Sequence, residues 1–270
     1  MKKNVLLLGS ITEKHAKVFD ELKASGDIGT VYVVPAAGKN VLMDEFKLND
    51  PDTNKNVSRT MIKEKFIIVK GKTHTENFIR PIIELNKFLG GGRLIHCCLF
   101  KNKETNQIFV LTDGACNLTL LDEVNVVDLV GKAIQYATEV YCKCAWESQE
   151  IYASLLSAGG ENNPATNQAY YDWWVAHKSE YPEGQLRIEQ LDVALNREVR
   201  EGKGIEGPVS QIVVVRNINE GNAIWKSLTA LNKDWIVGGL LMGSPVPIVL
   251  NSREDTAESL TYAIKCALKI

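Results

Sequence analysis

Residues 238–259 read GGLLMGSPVPIVLNSREDTAES, and their reading decides the fold. The first half is two short apolar runs parted by Gly243, Pro245 and Pro247; the second half turns polar at Asn251-Ser252-Arg253. An apolar run ending in a Ser-Arg pair just before a new helix is how an α/β protein presents polar groups at the carboxyl end of a strand. Thr256, Glu258 and Ser259 suit a helix start, and Leu260, Ala263, Ile264 and Ala267 then recur at helical spacing. An arginine beside a helix N-terminus, where backbone N–H groups lack partners, makes an anion site. The plain alternative is a buried strand, a solvated turn and a terminal helix. These residues alone fit both.

The beginning of the chain has the same grammar. Residues 5–8 are an aliphatic strand, Gly9-Ser10 a turn, and Ala16, Phe19 and Leu22 mark a helix before a second strand at 31–34. Two strands around one helix predict a parallel crossover. The Gly9-Ser10 turn lacks the glycine spacing of a dinucleotide fingerprint, which argues against nucleotide binding there. Residues 49–56 read as a polar loop, and 66–69 as a strand that ends at Lys70-Gly71. Thr75 suits the cap of a helix whose apolar face is Phe78, Ile79, Ile82, Ile83 and Leu85. Pro81 is best tolerated in a first turn, which places Arg80 near the helix start. An isolated arginine there is most simply a solvated one.

Gly90-Gly91-Gly92 is the clearest internal hinge signal. Residues 93–100 and 107–112 predict a hairpin around KNKETN, and its second strand runs into TDGACN. Asp113 and Asn117 there suit turn formers that bond their own backbone. Residues 124–137 follow as a helix. The aromatic cluster YYDWW at 170–174 reads as a core-facing wedge before a contact surface or an acyl pocket. Residues 189–199 read as helical and 211–215 as a strand.

Several of these segments, three of them ordered anchors at the right separations, resemble the phosphate acetyl- and butyryltransferases. PVPIVLNSREDTAES is similar to that family's Pro-x-x-x-x-Ser-Arg turn, and its Ser-Arg-x-Asp-Ser-x-Glu-Ser variant in the butyryltransferase branch is the nearer match. THTENFIRPIIE resembles the family's Thr-x-x-x-x-Arg-Pro stretch, with Thr75 and Arg80 at the matching positions. TDGACN resembles its Asp-x-x-x-Asn segment, and the stretch holding Glu220, Gly221 and Asn222 resembles a later Pro-x-x-Glu-x-Gly-Asn, with Arg216 where the family has proline. The likeness covers most of residues 70–270 and little of the first sixty.

The resemblance implies an acyltransferase that converts a short-chain acyl-CoA, butyryl-like before acetyl, and phosphate into acyl phosphate and CoA. Phosphate oxygen attacks the thioester carbonyl and CoA leaves as a thiolate, so two developing charges need stabilising. The implied catalytic residues are Arg80 and Arg253, gripping phosphate, and Ser252, a hydrogen-bond donor to the carbonyl oxygen or the departing sulfur. Substrate contacts fall to Lys70, Thr75, Asp113, Asn117, Asn222, Asp255 and Glu258. No metal and no cofactor is implied, coenzyme A being substrate and product. Three departures stand out. Ser259 occupies the place of the acetyltransferase branch's aspartate, which moves any acid/base role to Asp255 or Glu258. Asp113-Gly114 stands where that branch has Asp-Cys. The N-terminal part offers no counterpart to a further arginine that helps bind CoA.

Composition agrees with this class. The 270 residues are 45% hydrophobic, enough for one large domain or two moderate ones. A net charge of −2 points to neither nucleic acid nor an anionic membrane. The six cysteines include no C-x-x-C pair, which disfavours zinc and disulfides, and reduced thiols in the cytoplasm are expected. The apolar run at 5–8 is too short for a signal peptide or a membrane span.

For architecture the resemblance implies two three-layer α/β domains with a cleft between them, like those of the isocitrate and isopropylmalate dehydrogenases. Residues 1–91 with 238–270 would form the first domain and 92–237 the second. A homodimer is implied by family likeness. Two other readings remain: a catalytically weak relative that senses acyl-CoA or acyl phosphate, favoured by the missing aspartate, and a metal- and nicotinamide-dependent dehydrogenase, which would want clustered aspartates that the sequence lacks.

Overall fold

A computed structural model of the chain describes residues 2–117, 126–145, 151–155, 176, 186–190, 211–215 and 217–270. They form a mixed α/β structure of two compact units, Met1–Leu94 with Val237–Ile270, and Ile95–Ile236.

The first unit opens with β1 (Lys3–Leu8), α1 (Glu13–Ala24) and β2 (Ile28–Val34), and β1 and β2 are parallel, as the crossover pattern predicts. Val5, Leu6, Leu7 and Leu8 are all buried. Successive strand side chains face opposite ways, so both faces of β1 are covered, the condition for an interior parallel strand. Two helices follow that the apolar pattern missed, α2 (Val41–Glu45) and α3 (Lys55–Lys65). Asn54, read as part of a loop, caps α3 by accepting from the N–H groups of Asn56 and Val57. β3 (Phe66–Lys70) is buried along its whole length and runs parallel to β1.

α4 (Thr75–Leu89) corrects the reading of Pro81. His74 is its cap residue, Thr75 its first residue, and Pro81 lies inside the helix, so Arg80 is in the second turn and not at the start. The proline costs one hydrogen bond, to the carbonyl of Asn77. Asn77 is exposed, so water can take that bond. The glycine triplet after α4 is tied down as well. Gly90 N–H donates to Lys87, Gly91 to Asn86 and Gly92 to Gly243.

The unit is completed by most of β9 (Trp235–Met242), by β10 (Ile248–Val249) and by α7 (Ala257–Ala267). Its strand order is β2-β1-β3-β10-β9. β9 and β10 form the antiparallel hairpin that Gly243 and the prolines turn, and β10 lies parallel to β3. The carboxyl ends of β1, β3 and β10 therefore share one edge. At Gly71 a Cβ would stand 2.8 Å from the Ser10 carbonyl oxygen, so glycine is what lets the loops after β1 and β3 meet.

In the second unit β4 (Ile95–Asn102) and β5 (Ile108–Thr112) form the expected hairpin. α5 (Val126–Ala145) packs on both, burying Ala133, Ile134, Ala137, Val140, Tyr141 and Cys144 at helical spacing. β6 (Ile151–Leu155), β7 (Leu186–Gln190) and β8 (Ile212–Val214) extend this sheet in the order β4-β5-β8-β6-β7, parallel from β5 onward. β7 overturns the helical reading at 189–190, because Leu186, Ile188 and Gln190 alternate with Arg187 and Glu189 at strand period. The rest of that stretch, 191–199, the aromatic cluster 170–174 and Arg216 lie outside the described residues. α6 (Ile218–Leu231) is capped by Asn217, which accepts from Asn219 and Glu220.

Candidate active site

Two loops of the first unit and the capped first turn of α1 line an open cavity of about 710 Å3. Its walls are Thr12 to His15, Lys70 to Lys72, and Asn251 to Asp255, with Leu260 behind them. Loops at the carboxyl ends of parallel strands are where α/β sheets bind ligands, since nothing but loop covers them there.

The Ser252–Asp255 turn is the most internally bonded part. Asp255 N–H donates to the Ser252 carbonyl at 3.2 Å, and Ser252 N–H donates to Asp255 Oδ2 at 2.8 Å. Glu254 N–H reaches Ser252 Oγ at 3.4 Å. The backbone is thus fixed, with the Ser252 side chain half-buried at the cavity wall and Arg253 exposed. Just before it, Asn251 Oδ1 accepts from Gly239 N–H at 3.1 Å, which sets the orientation of the amide. Its Nδ2 is buried without a partner among the described residues.

Lys70, the last residue of β3, is only 4% exposed yet lines the same cavity. From α1, Lys14 Nζ donates to the carbonyls of Arg253 at 3.0 Å and Asp255 at 2.6 Å. Burial pulls the Lys14 ammonium below the usual lysine range, with Asp255 and Glu254 opposing that shift. The neighbouring His15 is buried. Its Nε2 lies 3.3 Å from the Lys70 carbonyl, which can only accept, so that nitrogen carries the proton and Nδ1 takes the Thr12 hydroxyl at 2.6 Å. Burial, and then the charges of Lys14 and Lys70, hold the His15 ring below its ordinary range and so neutral.

Of the residues singled out from sequence, the structure brings Ser252, Arg253, Asp255 and Lys70 together at this cavity. Arg80, Thr75 and Glu258 do not line it. The Arg80 guanidinium is exposed and paired with Glu76, Thr75 is exposed at the start of α4, and Glu258 is exposed in the first turn of α7. Ser259, where an aspartate was missed, is a buried structural hydroxyl. It accepts from Val237 N–H at 3.2 Å while its own N–H is capped by Thr256.

Asp113, Asn117 and Asn222 belong to the second unit. Asp113 is fully buried, and accepts from the N–H groups of Ala115 and Cys116 at 2.9 and 2.8 Å and from Asn117 Nδ2 at 2.5 Å. Asn222 is exposed on α6. The matched glycine beside it has a packing reason: a Cβ on Gly221 would stand 2.7 Å from Gly114 Cα and 2.9 Å from the Asp113 carbonyl oxygen. Nearby, burial and then the charge of Asp113 push the Cys97 thiol far up. Among the described residues no group of His, Cys, Asp and Glu is arranged to hold a metal, and no helix is long and apolar enough to cross a membrane.

Thr12, Lys14, His15 and Lys72 were not anticipated from sequence, and Asn251 was read as part of the polar turn with no role of its own. The signal was positional. They follow the three strands whose carboxyl ends share an edge.

A family model described as phosphate acetyl/butaryl transferase matches residues 53–268. Phosphate butyryltransferase of Clostridium acetobutylicum is 28% identical over 220 residues, which is 74% of this chain and 67% of that protein, about two thirds of its length. Among solved structures, a branched-chain phosphotransacylase from Enterococcus faecalis superposes with a TM-score of 0.68 at 21% identity, covering 99% of this chain and 98% of that one. Isocitrate dehydrogenase from Methylococcus capsulatus superposes with a TM-score of 0.51 at 12% identity, covering 98% and 84%. Both of these likenesses speak to the fold, which is the dehydrogenase-like α/β fold expected from sequence.

Proposed function

The chain belongs to the phosphate acetyl/butyryl transferase family, and we propose that it moves a short, butyryl-like acyl group from CoA to phosphate. It is an acyltransferase. The observation that carries the proposal is the meeting of the Ser252-Arg253 turn with Lys70 at one cavity, on the edge where parallel strands end.

A phosphate oxygen attacks the thioester carbonyl carbon, the C–S bond breaks, and CoA leaves as a thiolate. Arg253 grips phosphate through its fork and stays charged at any working pH. Lys70, its ammonium at a largely buried position, adds positive potential where solvent screens little. Ser252 supplies the hydrogen bond to the carbonyl oxygen as it gains charge, or to the departing sulfur. Arg80 joins the phosphate contacts by family resemblance. An exposed ion pair such as Arg80–Glu76 is worth at most about 1 kcal/mol, so phosphate can compete with Glu76 for it. Thr75, Asp113, Asn117, Asn222, Asp255 and Glu258 are the substrate contacts that resemblance suggests; the cavity wall supports Asp255, whereas the hydrogen bonds of Asp113 and Asn117 to their own turn favour a structural role for that pair. CoA is the leaving group, and no resident cofactor is needed. A cytoplasmic homodimer completes the reading.

The test is thiol release from acetyl-, propionyl-, butyryl- and longer acyl-CoA, with and without phosphate. Release should require phosphate and peak at butyryl. No release from any member would overturn the activity, and a maximum at acetyl would overturn the chain length alone.

A further inference from the structure

The segment matched by the family begins at residue 53, yet the first turn of α1, at residues 12–15, forms one wall of the cavity. Two neighbouring side chains there make opposite attachments. His15 ties α1 to the carbonyl of Lys70 at the end of β3, and Lys14 ties it to the turn after β10.

We propose that Lys14 is a positioning residue for the transferase reaction, holding the Ser252-Arg253 turn through the carbonyls of Arg253 and Asp255. The inference rests on the function proposed above and adds a residue outside the family-matched segment.

Three features of the geometry support it. The two carbonyls flank Glu254 in the turn, one of them on the arginine that would grip phosphate, so a single ammonium fixes both turn residues. Bonds from a charged donor are stronger than neutral ones. Lys14 is also partly withdrawn from water in a cavity that already holds Lys70, Lys72 and Arg253. A lysine with no such role would extend its ammonium into solvent, where it is best hydrated. Finally, the turn's own hydrogen bonds use Asp255 N–H, Asp255 Oδ2 and the Ser252 backbone. These bonds do not involve the Arg253 and Asp255 carbonyls, to which Lys14 donates from another element across more than two hundred residues of sequence.

The experiment compares wild type, Lys14→Met and Lys14→Arg for phosphate-dependent thiol release, with kcat and the phosphate KM measured per folded molecule and melting followed in parallel. Lys14→Met keeps the length of the side chain and loses its donors. Its kcat/KM for phosphate should fall roughly tenfold to a hundredfold, the range for a small misplacement of reacting groups. Lys14→Arg, which can also donate to two carbonyls, should recover most of that loss. A merely structural lysine would lower the melting temperature and leave kcat and KM per folded molecule unchanged, and that result overturns the inference. So does a Lys14→Arg variant as impaired as Lys14→Met. An inactive wild type overturns the proposed function and this inference with it, whereas an active wild type matched by Lys14→Met overturns this inference alone.

Discussion

The Ser252–Asp255 and Asp113–Asn117 turns both follow a strand, both contain an aspartate, and both match a family segment, yet they differ in where their polar groups go. In the second, the carboxylate takes two backbone N–H groups and the Asn117 amide, and both residues are buried. In the first, the aspartate carboxylate accepts from Ser252 N–H, and the serine and arginine side chains stand at a cavity wall. A motif match therefore leaves open whether a polar residue builds the turn or serves the ligand. The hydrogen-bond inventory separates the two roles, and mutation can break that separation.

The largest effect is expected at Ser252. Removing a donor aimed at developing charge costs about 3 kcal/mol of transition-state stabilisation, so Ser252→Ala should lower kcat by roughly a hundredfold to a thousandfold. Its fold should survive, because the Glu254 N–H that contacts Oγ at 3.4 Å lies in an exposed turn and can bond water instead. Steady-state kinetics and a melting curve on the same preparation check both parts. Unchanged turnover in a folded variant removes Ser252 from the mechanism.

Asp113→Ala should invert that pattern. Two partly buried N–H groups and a buried amide would lose their acceptor, and a buried polar group left without a partner costs about 1–3 kcal/mol. The midpoint of urea unfolding should drop clearly, while kcat per folded molecule changes far less than in Ser252→Ala. A large fall in kcat with an unchanged midpoint would make Asp113 a substrate contact and erase the contrast between the two turns.

Much of this was legible in the sequence because apolar period is strong where strands are buried on both faces. Val5 to Leu8, Phe66 to Val69 and the run ending at Val249 announced themselves in that way, and α7 did so by its helical spacing. α3 did not, since its one buried residue is Ile62 and its helix start lies in a stretch of Asn, Asp and Lys. Pro81 misled because a local rule against mid-helix proline yields to a long amphipathic helix with an apolar face to bury. The β7 strand was missed because it is only five residues long and ends in Glu189-Gln190, both of which favour helix. Ser252 and Arg253 could be found because they sit in one contiguous motif. Lys14 and His15 could not, because their partners are 239 and 55 residues away and only the shared strand edge brings them together.

Arg80 gives the smallest and sharpest test, because resemblance and the observed contact pull in different directions. The contact is with Glu76, four residues earlier on the exposed face of α4, where solvent screens both charges. Losing it should change stability by no more than about 1 kcal/mol. If the guanidinium exchanges Glu76 for phosphate during turnover, Arg80→Ala should raise the phosphate KM about tenfold, the 1.4 kcal/mol equivalent of one charge-assisted hydrogen bond. Glu76→Gln should then lower the same KM by a factor of about two to three, because the competing carboxylate is gone and the ion pair it formed was worth only a few tenths of a kcal/mol. Opposite signs from two residues of one ion pair cannot come from lost stability, which would push both variants the same way. A phosphate KM unmoved in both variants would confine the anion site to the residues around the Ser252-Arg253 turn and leave Arg80 as a surface residue of α4.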